Sequence, residues 1–183
     1  VKEALINEDG MVEVEKGSFS IEPFLSVNGK FVTWNDVDRH HILEGEDLII
    51  YKPYLPIPWA VLNYGALFLE TTLFANGKAN ENSILYIMYK LHNNSSATVN
   101  SKLYLTIRPF QVNPHYQFLN LTGGVGKIHS ISESKEKIYV NYDKVIFPIT
   151  PYTKFGASTF DQGEITNFIS QGIMPDNSAV NDL

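Results

Sequence analysis

The 183-residue chain contains no cysteine, which excludes disulfides, thiolate nucleophiles and cysteine-ligated zinc together. It is also short of positive charge, with 14 Lys and Arg against 20 Asp and Glu and a formal net charge of -6. No basic run offsets that balance, so the chain would meet a phosphate backbone with repulsion instead of counterion release. Nucleic acid is therefore not an expected partner. Long hydrophobic runs are lacking too: none approaches the roughly 18 consecutive apolar residues of a membrane helix. No membrane partner is expected either. The opening Val1-Lys2-Glu3 has no initiator Met, basic region or apolar stretch, and reads as a processed chain or an excised fragment. What is abundant is aromatic surface, 11 Phe and 10 Tyr in a chain that is 44% hydrophobic, enough to build the core of one domain of this length.

Period-two alternation dominates. Leu85, Ile87, Tyr89 and Leu91 share one face of a predicted strand, and Leu103, Leu105 and Ile107 share one face of another. Asn93-Asn94-Ser95-Ser96 lies between them, and the two strands are expected to pair as an antiparallel hairpin. A second hairpin is predicted from Ser18 to Trp34, turning at Asn28-Gly29, since that dipeptide accepts the positive φ angles of a type I′ turn. Ala66 to Ala75 forms a strand closed by Asn76-Gly77-Lys78. Further strands are expected at 12–15, 60–64, 127–132, 137–142, 144–149 and 155–160. Strands so evenly spaced, with turn residues between them, indicate an all-β antiparallel sandwich or barrel. One short helix is predicted at 161–171, with Asp161 as cap, Glu164 three residues on and Gly172 as the stop. Pro53, Pro56 and Pro58 remove ladder donors and mark a crossover loop; a polyproline ligand would need an exposed flexible segment, whereas apolar strands flank this one. The polar Pro175-Asp176-Asn177-Ser178 reads as the start of a linker or a neighbouring domain.

The chemistry-bearing clusters are sparse. His40-His41 stands near Asp36 and Asp38, as a small cupin-like metalloenzyme would require. Adjacent residues on a strand point to opposite faces, however, so only one imidazole can join a given carboxylate, and neither a metal nor any other cofactor is expected. Glu44, Glu46 and Asp47 surround Gly45 as a solvated turn, and Glu70 lies in an apolar strand as an exposed rung; neither forms a recognisable glycosidase pair. There is no Gly-x-Ser-x-Gly, Walker loop or His-Glu-x-x-His. Gly123, Gly124 and Gly126 mimic a phosphate loop, but strand-like sequence follows where a helix must start, so they are read as a tight loop. The most distinctive run is Ile107 to Asn120, where Arg108, Gln111, Asn113, His115 and Asn120 are interleaved with aromatic rings and prolines. Sugar recognition uses that mixture, with rings on sugar faces and amides or guanidinium on hydroxyls. Docking against another domain uses it as well, and docking is the reading preferred here.

Arg108 to Pro114, Gln117-Phe118-Leu119-Asn120 and Gly123-Gly124-Val125 resemble motifs of the β-sandwich domain that precedes the (α/α)6 catalytic domain of large bacterial glycosidase-like proteins. Thr33-Trp34-Asn35-Asp36-Val37, Leu55-Pro56-Ile57-Pro58, and Phe155 to Asp161 with Gly163-Glu164 appear in the same order, so the resemblance spans most of the chain. Trp59 departs from it, standing where a small residue is expected. The resemblance implies a supersandwich, similar to the galactose-mutarotase-like domains of glycogen-debranching and glycoside-phosphorylase-like enzymes. Residues 1–183 would then be one non-catalytic domain of a larger chain, periplasmic or extracellular. Its partner would be the adjacent (α/α)6 domain, whose substrate cleft it would help to shape. The rival expectation is a free-standing carbohydrate-binding module that takes oligo- or polysaccharide on Trp34, Trp59, Tyr54 or the Arg108–His115 loop.

Overall fold

The computed structural model describes residues 4–39, 55, 57–78, 81–112 and 124–181. The described residues are mostly antiparallel β-sheet, with a single short α-helix near the C-terminus. The strands are β1 (Leu5–Ile6), β2 (Val12–Glu13), β3 (Ser20–Val27), β4 (Lys30–Phe31), β5 (Asp38–Arg39), β6 (Trp59–Tyr64), β7 (Leu67–Gly77), β8 (Ser83–Asn93), β9 (Ser101–Arg108), β10 (Ser130–Ser134), β11 (Lys137–Val140), β12 (Lys144–Ile146) and β13 (Ala179–Asn181). The helix α1 (Ile165–Ser170) follows a 3-10 turn at Phe160–Gln162. One sheet runs β1-β2-β3-β4 with β9 on the other side of β3; the others run β5-β6-β7-β8 and β12-β11-β10-β13.

The local turn chemistry behaves as expected. Asn28 and Gly29 take φ values of 51 and 82, and β3 turns directly into β4 with Val27 opposite Lys30. β4 is shorter than predicted, and Trp34 lies in a turn beyond it. Gly172, at φ 71, closes α1: its N–H reaches the Ile169 carbonyl, and Ile173 N–H reaches that of Phe168. The helix starts later than Asp161. Thr159 caps the 3-10 turn in a reciprocal box with Gln162, and Gly163, at φ 120, breaks the chain before Glu164 opens α1.

The predicted hairpin of β8 and β9 does not form. β8 pairs with β7 from Ser83 to Asn93, and β9 pairs with β3 from Ser101 to Arg108, so the polar segment between them carries the chain from one sheet to another. The register with β3 keeps Leu103, Leu105 and Ile107 on one face of β9, opposite Leu25, Pro23 and Ile21. Of the three, Ile107 packs against a buried apolar cluster while Leu103 and Leu105 are exposed; Thr106, on the other face, is buried and its hydroxyl donates to the Glu22 carbonyl at 3.1 Å. The predicted strand at 155–160 is reduced to one bridge, Ala157 with Asn177. There the backbones meet so closely that a Cβ on Gly156 would lie 2.2 Å from the Pro175 carbonyl oxygen. The segment expected to start a linker is thus folded in: Ser178 accepts from Glu133 N–H at 3.0 Å, and β13 pairs with β10.

Two apolar clusters tie the sheets together. Phe19, Ile21, Ile128, Ile131, Val140, Ala157 and Val180 form one, joining the β3 sheet to the β10 sheet. Leu25, Val27, Val32, Leu67 and Leu69 form the other, joining β3 to β7. β3 therefore serves both, Ile21 in the first and Leu25 and Val27 in the second, and Tyr89 of β8 packs against each. Each fully buried aliphatic side chain here contributes about 1.5–3 kcal/mol relative to exposure.

Candidate functional site

Arg108 ends β9 opposite Ser20, on the same sheet face as Glu22, its diagonal neighbour on β3. One guanidinium nitrogen donates to Glu22 Oε2, and Nη2 donates to Glu164 Oε1 at 2.7 Å. The Arg108 side chain is 11% exposed and that of Glu22 4%. Phe110 lies against the guanidinium, its centroid 4.5 Å from the central carbon, and Phe24 lies 5.9 Å away. Arg108 thereby clasps three pieces of chain: β3, β9 and the start of α1. Glu164 occupies the helix N-cap without capping it, its carboxylate accepting from Arg108 and from the Thr166 hydroxyl instead.

Burial raises the carboxyl pKa of Glu22 above its ordinary value. Arg108 pulls it back part of the way, while Asp9 and Glu164 push it up. Beside the clasp, Ile107, Phe110, Ile128, Ser158, Phe160 and Gly163 line a cleft of about 50 Å³. That volume holds a few water molecules, far below the roughly 300–1,000 Å³ of a small-molecule pocket. Chemically, the cleft is the seam along which the C-terminal helix is held by charge-assisted hydrogen bonds.

The predicted site residues divide accordingly. Trp34 is 47% exposed, its ring 6.0 Å from Phe24, so Trp34 and Arg108 flank the same phenyl ring. Trp59, 39% exposed, begins β6 in a different sheet. Gln111 is half-buried and donates its backbone N–H to the Gly124 carbonyl at 2.9 Å. Asn113, His115, His40, His41, Glu44, Glu46, Asp47 and Tyr54 lie outside the described residues, as do Leu121 to Gly123. The described end of the glycine run is a packing device: a Cβ on Gly126 would lie 2.2 Å from the Ser18 carbonyl oxygen.

Asp36 is held by Lys30 at 2.8 Å and by the Thr33 backbone and hydroxyl, which keep its carboxyl well below the usual range. Glu70 is half-buried, faces Lys90 across β8 and accepts from the Thr72 hydroxyl at 2.9 Å. Among the described residues no group of three or more His, Cys, Asp or Glu is placed to hold a metal ion, and no helix is long and apolar enough to cross a membrane.

Sequence reading missed the acidic side of the site. Glu13 is almost fully buried, its carboxylate accepting from the N–H groups of Gly17 and Val112. Glu22 and Glu164 were not assigned to Arg108. The one signal was Glu13 and Glu22 standing in strands otherwise rich in apolar residues, which marks a buried carboxylate only once its partner is known. No family model matches the chain, and neither a curated protein nor a solved structure matches it.

Proposed function

We propose that the chain is a non-catalytic β-supersandwich domain of a periplasmic or extracellular carbohydrate-active protein, packed against a following (α/α)6 domain and helping to shape its cleft. The observation that carries this reading is the apolar surface of the C-terminal third. Phe147, Ile149, Phe160 and Ile173 are each more than half exposed, on the segment after β12 and at the two ends of the helical region. Single exposed apolar residues are ordinary, but several large ones within one stretch of the chain fit a surface that another domain covers. The Arg108 clasp supports the same view, because a guanidinium that is 11% exposed and already holds two carboxylates is largely withheld from a sugar.

Hydrogen exchange tests the proposal. Amides of 145–149 and 160–173 should gain at least tenfold protection in the longer protein relative to this chain alone; equal exchange in both overturns it. The non-catalytic part fails if this chain hydrolyses a glycoside and Glu70→Gln abolishes the turnover.

A free-standing carbohydrate-binding module is the second reading, favoured by one feature: the exposed indole of Trp34 is backed by Phe24, itself stacked on Phe31 at 5.7 Å. A ring held in this way suits a sugar face. Calorimetric titration with oligosaccharides should then show heat that Trp34→Ala removes.

A further inference from the structure

Among the described residues strand β8 ends its sheet, pairing with β7 along all of its 11 residues in an unbroken one-to-one register from Gly77↔Ser83 to Leu67↔Asn93. Among the described residues, none of its backbone groups bonds to any strand or loop other than β7. Edge strands of stable proteins are normally kept short, bulged, interrupted by proline or guarded by charge. β8 has none of these protections beyond Lys90, its one formally charged side chain: Ser-Ile-Leu-Tyr-Ile-Met-Tyr-Lys-Leu-His-Asn contains neither Pro nor Gly. Ile84 and Met88 are 57% and 41% exposed on its outer face, beside the Phe74–Tyr86 stack at 4.8 Å. Those two rings face each other across neighbouring strands, so they present no flat platform to a sugar.

We propose that β8 pairs antiparallel with β8 of a second copy of this chain, about a two-fold axis through Met88, joining the two β5–β8 sheets into one. An isologous contact must be self-complementary, and the residues around Met88 meet that condition. Met88 is the midpoint of β8, so an axis there engages the whole strand. On the inner face Leu85 then meets the partner's Leu91, and Ile87 meets the partner's Tyr89. On the outer face Met88 meets the partner's Met88, Ile84 meets the partner's His92, and Tyr86 receives the partner's Lys90 in cation–π geometry. The two Lys90 ammonium groups fall on opposite sides of the axis, about 13 Å apart along the strand direction, beyond the screening length at physiological salt. A foreign strand would satisfy the same backbone groups, but the matched apolar spacing on either side of Met88 selects a second copy.

Sedimentation across a wide concentration range tests the pairing. The chain should sediment at twice 20.7 kDa, and Met88→Lys should sediment as the monomer with its far-ultraviolet circular dichroism unchanged. An equimolar mixture of Met88→Lys and Met88→Glu should recover the dimer, since opposite charges then face each other across the axis. Hydrogen exchange on the unsubstituted chain supplies a readout that needs no variant: alternate β8 amides should be protected in the dimer and lose that protection on dilution. A chain monomeric at every concentration, a Met88→Lys variant as dimeric as the parent, a mixture no more dimeric than its components, or β8 amides indifferent to dilution would each overturn the proposal.

Discussion

Replacing Arg108 by Met keeps most of the side-chain volume against Phe24 and Phe110 and removes the charge. What remains is a Glu22 carboxylate 4% exposed with its cation gone, and breaking a buried pair from one side costs about 3–5 kcal/mol. The Glu164 arm, 30% exposed, adds at most about 1 kcal/mol, because solvent screens it. The loss should depend on pH in a definite direction. Glu22 already has a carboxyl raised by burial above its ordinary 4.5, and without Arg108 it rises further. A group raised in the folded state contributes stability that is fully present below the unfolded pKa and is lost as pH rises through the folded one. The variant should therefore lie closest to the parent in acid, where Glu22 is protonated and needs no cation. It should fall away as pH climbs through the raised value towards neutrality. Urea unfolding of parent, Arg108→Met and Arg108→Met/Glu22→Leu on both sides of that window measures this. The double variant should regain most of the neutral-pH loss, since an apolar pair of similar volume replaces a buried ion pair at little cost. Equal loss at both pH values, or a double variant no more stable than the single one, would refute the reasoning.

Tyr89 packs between the two clusters with its hydroxyl buried and without a hydrogen-bond partner among the described residues, so Tyr89→Phe should stabilise the chain by about 1–2 kcal/mol, read as a rise in Tm; a fall would mean that the hydroxyl is bonded in solution. The same burial holds its phenol above the ordinary tyrosine range, so in alkaline spectrophotometric titration one tyrosine should ionise only as the chain unfolds. Gly126→Ala places a Cβ against the Ser18 carbonyl and the Phe19 N–H; neither backbone group can swing away, and thermal melts should show a loss of at least about 1–3 kcal/mol. Leu69→Ala empties a site that is 1% exposed and should cost about 2–5 kcal/mol by urea unfolding.

Much of the secondary structure was legible because its causes are local. Alternation over 85–91 placed Ile87, Tyr89 and Leu91 on the buried side of β8. Asn28-Gly29 and Gly172 declared their turns, since positive φ is a property of the residue itself. The failures share a cause as well. Alternation identifies a strand's apolar face but carries no information about which strand lies beside it, so β8 and β9 were paired through the turn residues between them although they belong to different sheets. Ala157 has its bridge at Asn177, and the polar Pro175–Ser178 segment became structure only because β10 supplies an edge for β13.

The sequence by itself determined a β-rich chain with a short C-terminal helix, an aromatic supply for its core and an acidic charge balance. Only the tertiary structure decided what Arg108 does. Its carboxylate partners stand 86 and 56 residues away, and a charge at a strand end reads as docking, sugar binding or an internal clasp until those distances are closed. The same holds for Glu13 and Glu22: a buried carboxylate is tolerable only where distant backbone or guanidinium donors converge on it. Such convergence depends on how sheets are stacked and registered, which no local run of residues encodes.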